Sequence, residues 1–201
     1  MDDPPRPPFI FRATAPTAED VDRVVGWSSG APFTYAPVGA TRGPLPAGWD
    51  HDEVREGIGH GAEVARRAED ALRRWTMFDL GWVRPHHTDV PQIEGATMAF
   101  TARTYGVYTI NVCRVVYRID DDDGVVRRAG FAYGTLPGHV LSGEEQFELR
   151  WDRRSDEVTF GIRKFSRPNL LLVRLVGPAL IRPLQRRFSV DAIARLAAVA
   201  R

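Results

Sequence analysis

The chain has 201 residues, of which 43% are hydrophobic and 10% aromatic, and its formal net charge is +1. A chain of this length can bury most of its apolar surface in one domain without disulfides or structural metals. The near-neutral charge excludes a general electrostatic attraction to nucleic acid or to an anionic membrane, so any charged partner must be bound by a local group of residues.

Arginine carries nearly all of the positive charge. Among 27 basic residues Lys164 is the only lysine. Guanidinium forks that bind phosphate or carboxylate groups would explain this bias. GC-rich coding explains it as well, and we give coding the larger share.

Cysteine usage and the chain start indicate a compartment. Cys113 is the only cysteine, which excludes a disulfide framework and a thiolate metal site and favours the cytoplasm. The first residues, "MDDPPRPPFIF", are acidic and rich in proline, unlike a secretory signal. We expect a flexible arm at 1–15 and a single domain at 16–201. The run "NLLLVRLVGPALI" contains Arg174 and a Gly-Pro break and is too short to span a bilayer.

The first third of the chain predicts two helices. In "TAEDVDRVVGW", Thr17 and Asp20 form a capping pair ahead of valines at helical spacing. The segment "FTYAPVGAT" (33–41) predicts a short strand, and the Pro/Gly-rich "RGPLPAGWDHD" predicts a loop. The alternating glycines of "GIGHG" predict a loop leading into an amphipathic helix from about His60 to Trp75.

The middle of the chain predicts antiparallel strands. These segments are rich in Val, Thr, Tyr and Ile and alternate in polarity, which is typical of strands with one covered face. The turns "DDDG" and "RRSDE" join neighbouring strands as hairpins. The predicted strands lie within 94–106, 107–120, 125–135, 144–152 and 158–166.

Residues 169–200 predict helix again. Pro178 and Pro183 predict two or three helical pieces, the last of them capped by Ser189. The elements together give the α+β class, with a curved antiparallel sheet or partial barrel wrapped around a C-terminal helix. This helix-grip arrangement is similar to START and Bet v 1-like folds, by analogy of fold alone. It can leave a cavity between the sheet and the helix.

Several segments carry a family resemblance. They are "FTYAPVGAT", "ALRRWTMFDLGWV", "CRVVY", "GFAYGTLPGHVLSGEEQF", "FSRP" and "QRRF". With these segments, spread through most of its length, the chain resembles the family DUF1990, also called UPF0548. The long "YGTLPGH" and "GEEQF" pattern is the most specific part of the resemblance. It implies no particular chemistry and no cofactor.

The segment "GFAYGTLPGHVLSGEEQF" holds the candidate catalytic residues. Strand alternation would aim Glu144 and Glu145 at opposite faces, so only one of them can face a cavity. In a functional interpretation His139 is a general acid or base, one glutamate orients it, and Tyr133 donates to a developing oxyanion.

A structural interpretation of the same segment is favoured. There the glycines shape a bulged loop, His139 caps backbone carbonyls, and the glutamates pair with Arg114 or Arg163 on a sheet face. Arg114 lies among apolar residues of a strand and needs a partner, either a carboxylate of the protein or an acidic ligand. The ligand-binding candidates are Arg114, Tyr133, His139, Trp75, Trp82 and Phe131.

Other site classes find little support. The segment "GIGHG" lacks the Gly-Lys-Ser/Thr ending of a Walker loop and is no dinucleotide fingerprint. His86 and His87 diverge on an extended chain and lack further ligands at a zinc spacing, so we predict no metal. No interleaving of basic and aromatic residues indicates nucleic-acid binding. Cys113, in mid-strand, is interpreted as a packing residue.

Three functions remain open. The first is binding of an apolar or mixed-polarity small molecule in the cavity. The second is a metal-free acid/base enzyme of the cyclase, dehydratase or hydrolase type, which needs His139 and one glutamate within hydrogen-bond reach. The third is a protein or membrane-surface interaction module at 170–188, which needs an exposed apolar stripe. The ligand, the reaction and the oligomeric state stay open.

Overall fold

The structure, a computed structural model, describes residues 10–169 and 178–201. Within these ranges it contains eight β-strands and three α-helices. The strands are β1 (Phe11–Arg12), β2 (Asp50–His60), β3 (Val83–His86), β4 (Thr97–Thr104), β5 (Val107–Asp122), β6 (Val126–Thr135), β7 (Leu141–Asp152) and β8 (Glu157–Pro168). The helices are α1 (Ala18–Ser28), α2 (Ala62–Arg73) and α3 (Pro178–Ala200), and short 3₁₀ turns cover Ala40–Arg42 and Thr76–Phe78.

The strands form one curved antiparallel sheet in the order β2–β8–β7–β6–β5–β4–β3. β1 pairs with the start of β5, beyond the end of β6. Side chains alternate between a concave face, which α2 and α3 cover, and an outer face. The predicted α+β class, with a curved antiparallel sheet and a C-terminal helix, is confirmed.

Aromatic side chains fill the space between the sheet and the helices. The ring of Phe78 lies 5.2 Å from that of Phe100 on β4, 5.6 Å from that of Phe147 on β7 and 5.5 Å from that of Phe188 on α3. Because large rings bury much apolar surface, this cluster fixes the helices against the sheet.

Both N-terminal helices were correctly predicted. α1 begins with the expected capping box, in which the Thr17 hydroxyl accepts from the Asp20 N–H and the Asp20 carboxylate accepts from the Thr17 N–H. α2 buries Ala65, Ala68 and Leu72, and these mostly small side chains let the helix lie close to its neighbours.

The sequence interpretation missed β2. It placed Asp50–Asp52 in a loop and Gly57–Gly61 in another, whereas Asp50–His60 pairs along β8 with a bulge between Gly57 and Gly59. β2 is an edge strand, and charged residues are common on edges, which hides the strand pattern. Gly59 permits close contact with α2, since a Cβ there would lie 2.9 Å from Val64.

The predicted strand at 33–41 is wrong. This segment forms no strand, because Pro32 and Pro37 lack the N–H groups that a sheet ladder needs. The predicted N-cap at Ser189 is also wrong, since α3 runs unbroken through Pro183 and Ser189 to Ala200.

Part of the predicted N-terminal arm belongs to the sheet. Ile10 is buried, and its carbonyl accepts from the Ile110 N–H at 3.1 Å. Among the described residues, no helix has the length and apolarity needed to cross a bilayer.

Candidate ligand cavity

A cavity of about 660 Å³ lies between the concave face of the sheet and α3. Its volume falls within the range of small-molecule sites. Its apolar wall consists of Phe11, Trp82, Val83, Phe100, Ala102, Tyr105, Val107, Val140, Leu141, Phe165, Ile181, Leu184 and Phe188. Six strands (β1, β3, β4, β5, β7 and β8), the β6–β7 loop and α3 therefore contribute residues that are distant in sequence.

A row of three polar side chains crosses this wall. Tyr133 on β6, Glu145 on β7 and Lys164 on β8 are direct neighbours in the strand register. The Tyr133 hydroxyl donates to Glu145 Oε2 at 2.5 Å, and Lys164 Nζ lies 3.2 Å from Glu145 Oε1. All three residues are buried, with exposures of 4%, 8% and 5%. Tyr133 and Glu145 share a hydrogen bond, and Glu145 and Lys164 form an ion pair, within a mainly apolar cavity; Glu145 Oε1 has no hydrogen-bond partner among the described residues.

Lys164 also ties the sheet to α3. Its ammonium donates to Ser189 Oγ at 2.8 Å and to the Gln185 carbonyl at 3.2 Å, and it lies 3.5 Å from Asp52 Oδ2 on β2. The ammonium is thus surrounded by oxygen atoms from β2, β7 and α3. A buried charge needs hydrogen-bond and ion-pair partners of this kind to offset its loss of hydration.

Burial and charge keep the nearby acids neutral. Desolvation, and then the negative charge of Glu145, raises the pKa of Tyr133 well above its ordinary value of 10.0. The same two causes raise the pKa of the Cys113 thiol. Tyr133 therefore keeps its proton and donates a hydrogen bond to Glu145, and Cys113 is a packed thiol rather than a nucleophile.

His139 lines the cavity from the β6–β7 loop. Its Nδ1 lies 3.0 Å from both the N and the O of Leu141, and its ring stands edge-on to Phe100 at 5.7 Å. Its Nε2 is buried and has no hydrogen-bond partner in 10–169 or 178–201. Desolvation lowers the pKa of His139 from 6.5 to about 4, so the ring is neutral at physiological pH.

Glu144 points away from Glu145, as strand alternation predicts. Although the residue borders the cavity, its carboxylate lies on the outer face and accepts from the Tyr35 hydroxyl at 2.6 Å. It also accepts from the Gly39 N–H at 2.6 Å and from both the N–H and the hydroxyl of Thr41. Glu144 therefore fixes the segment 35–41 against the sheet, and its oxygens are fully used.

The arginines expected to pair with the glutamates do not do so. Arg114 donates to the Ser29 carbonyl and lies over the Phe33 ring, outside the cavity lining. Arg163 donates to Glu53 and to the carbonyls of Thr41 and Gly43.

The aromatic candidates divide between cavity and core. Trp82 lines the cavity, and its Nε1 donates to Asp191 at 2.8 Å. Trp75 and Phe131 lie outside the lining in the core, with ring centroids 4.8 Å apart. Of the ligand-binding candidates, the structure brings Tyr133, His139 and Trp82 to the cavity.

The sequence interpretation missed Lys164 as a site residue. The sequence did contain a signal, because Lys164 is the only lysine in the chain, but the scarcity of lysine was attributed to coding bias. Glu145, which pairs with it, and Tyr133, which donates to Glu145, are 19 and 31 positions away, and only the strand register brings them together. Asp52 was missed because β2 was not recognised.

The proposed interaction segment, 170–188, lies partly outside the described residues. In its described part Ile181, Leu184 and Phe188 line the cavity, while Arg182, Arg186 and Arg187 are exposed. Ile181, Leu184 and Phe188 thus face inward.

Comparison with known proteins places the chain in a family. Residues 34–195 match the family described as "Domain of unknown function (DUF1990)". The chain belongs to the DUF1990 family. A UPF0548 protein of Dictyostelium discoideum is 30% identical over 201 residues, covering 91% of this chain and 91% of that protein. A UPF0548 protein of Deinococcus radiodurans is 33% identical over 189 residues, covering 89% and 92%.

Two solved structures resemble this DUF1990 protein in part. A hypothetical protein of Helicobacter pylori, jhp0584, matches with a TM-score of 0.49 and 12% identity, over 83% of this chain and 99% of that one. Ara h 8.0201 matches with a TM-score of 0.48 and 9% identity, over 76% of this chain and 98% of that one.

Proposed function

We propose that this protein binds a mainly apolar small molecule in the cavity between the sheet and α3. The observation that carries the proposal is the apolar cavity of about 660 Å³, into which the β6–β7 loop and α3 turn their apolar side chains. Cavities of this size and lining suit ligands that bury most of their surface. The lone cysteine, Cys113, supports a cytoplasmic location.

His139 supports a ligand with one hydrogen-bonding group. A buried polar atom without a partner is unfavourable, and Nε2 of His139 is such an atom among the described residues. A ligand group that bonds to Nε2 would remove that penalty. In the polar row, Tyr133 and Lys164 already have hydrogen-bond partners, while Glu145 Oε1 has only its ion pair with Lys164 among the described residues, so a ligand that breaks this pair is disfavoured.

A neutral fluorescent probe tests the proposal. N-phenyl-1-naphthylamine has two aromatic groups, one N–H and no charge, so electrostatic attraction to surface arginines does not contribute to its binding. We expect saturable one-to-one binding with increased fluorescence. Leu184→Trp fills part of the cavity and should weaken binding about tenfold or more, equivalent to ~1.4 kcal/mol of lost contact.

Val190→Trp is the matched control. It introduces the same side chain on the same helix, at a position that is 58% exposed and outside the cavity lining. We expect it to bind the probe as the wild type does. Equal binding by Leu184→Trp and the wild type would contradict the proposal, as would the absence of saturable binding.

One observation favours a second candidate, metal-free acid/base catalysis. The row of Tyr133, Glu145 and Lys164 places three ionisable groups on the cavity wall. No hydrogen bond joins His139 to either glutamate within the described residues, so the dyad first expected for catalysis is not formed. If a compound recovered from the native protein is converted, and Glu145→Gln abolishes conversion while retaining binding, the enzyme is supported over the carrier.

A further inference from the structure

A second concave site lies on the outer face of the sheet, opposite the cavity. This outer groove has a volume of about 540 Å³ and is bordered by β2, β5, β6, β7, β8 and the Ala40–Arg42 turn. Its charged lining residues are Arg42, Arg55, Arg118, Arg128, Arg163, Glu53, Asp121 and Glu148. The groove is thus polar where the cavity is apolar.

One carboxylate and one glycine position two guanidinium groups on its floor. Glu148 on β7 lies between Gly130 and Gly161 in the strand register. Arg55 donates to Glu148 Oε1 at 2.6 Å, and Arg128 donates to Oε2 at 2.5 Å. A Cβ on Gly161 would lie 2.8 Å from Arg55 Cζ, so the glycine makes room for this guanidinium. One carboxylate therefore holds two cations side by side.

The rim carries a further arginine without a carboxylate. Arg42 lies 4.1 Å from the centroid of the Tyr117 ring, with no carboxylate within ion-pair distance among the described residues. Thr41, the preceding residue, contacts both the Tyr117 hydroxyl and the Glu144 carboxylate. The buried Glu144 thus fixes the turn that carries Arg42.

The groove has an excess of positive charge. Its lining contains five arginines and three carboxylates, leaving two positive charges unmatched. Asp120, at the edge, pairs with Arg118 and reduces this excess to one, because the further arginine that it contacts, Arg127, already pairs with Glu69. Prepositioned guanidinium groups with free N–H donors suit an oxyanion that accepts several hydrogen bonds.

We propose that the outer groove binds a small phosphate monoester. A phosphate monoester carries between one and two negative charges near neutral pH and offers three acceptor oxygens, which matches the unmatched charge and the donors of Arg42 and Arg55. The aliphatic stems of the arginines contact its organic part. This site is separate from the cavity and independent of the function proposed for it.

Phenyl phosphate is the probe, and phenol is its uncharged counterpart. We expect isothermal titration calorimetry at low ionic strength to show one-to-one binding of phenyl phosphate, weakened by added salt, and none of phenol. Arg42→Gln and Arg55→Gln should each weaken binding about tenfold, because each removes a charged hydrogen-bond donor. Arg42 makes no ion pair with any residue in the described ranges, so Arg42→Gln removes none from the folded protein and separates an effect on binding from an effect on stability.

Arg153→Gln is the control, because Arg153 pairs with Asp122 outside the groove lining. Unchanged binding by this variant, together with unchanged N-phenyl-1-naphthylamine binding by Arg42→Gln, supports a distinct phosphate site. Equal weakening by all three variants would show a general charge effect and overturn the proposal. Absence of saturable phenyl phosphate binding would also overturn it.

Discussion

The ion pair between Lys164 and Glu145 makes a sharp prediction about stability. Lys164→Met keeps the length of the side chain and removes its charge. Glu145, with 10% of its side chain exposed, would then retain only the Tyr133 hydroxyl as a donor. Removing one partner of a buried ion pair lowers the free energy of unfolding by about 3–5 kcal/mol. Asp52 adds little, because 40% of its side chain is exposed to water.

The double variant separates the contribution of the ion pair to stability from the contribution of side-chain packing. In Lys164→Met with Glu145→Gln, no uncompensated buried charge remains, and the amide oxygen still accepts from Tyr133. We therefore expect the double variant to be more stable than the sum of the single changes predicts, with a coupling free energy of about 2 kcal/mol. Urea denaturation followed by tryptophan fluorescence measures all four proteins.

Arg66→Met is the control for loss of an ion pair. Arg66 pairs with Glu63 and Asp70 on the exposed face of α2. Since exposed ion pairs contribute little to stability, no comparable loss is expected. A Lys164→Met loss below about 1 kcal/mol, or strict additivity in the double variant, would refute the assigned role of this buried pair.

Two further predictions concern the β6–β7 segment. Glu144→Gln should lower the free energy of unfolding by about 2–3 kcal/mol, because the hydrogen bonds from Tyr35 and Thr41 lose their charged acceptor; urea denaturation measures it, and an unchanged midpoint contradicts it. His139 has a pKa of about 4 when folded and 6.5 ordinarily, so the unfolded chain binds the proton first as the pH falls. The wild type should lose up to about 3 kcal/mol from this group between pH 6.5 and pH 4, and His139→Gln should lose less over that window. Stability against pH checks this, and exposed His60→Gln should match the wild type.

Local patterns predicted much of the fold. Alternation and β-branched residues located the central strands, and it was the same period of two that placed Glu144 and Glu145 on opposite faces. The capping pair at Thr17 located α1. These features depend on residues that are close together in the sequence, which is why the sequence alone reveals them.

The missed features depend on contacts between distant residues. β2 lacks a clear alternation because its edge position tolerates charge, and it is specified by pairing with β8. α3 continues through Pro183 because its later turns bury Ala192, Ile193 and Leu196 in the core. Packing of this kind outweighs the local preference of proline to end a helix.

The candidate site shows the same division between residues found from local patterns and residues that depend on distant contacts. Tyr133 and His139 were found because they lie in one conspicuous segment. Arg114 was expected in the cavity, yet its strand turns it toward Ser29, and Lys164 was missed although it completes the polar row. The neighbours of a strand, and therefore the contacts of its side chains, are set by the pairing of the whole sheet. No single segment of the sequence encodes them.

A crystal structure of the protein with N-phenyl-1-naphthylamine tests the central claim most directly. The account predicts the probe inside the cavity, in contact with Phe100 and Leu184, with its N–H near His139. Electron density for the probe only on the surface, with side chains filling the space between the sheet and α3, would contradict it.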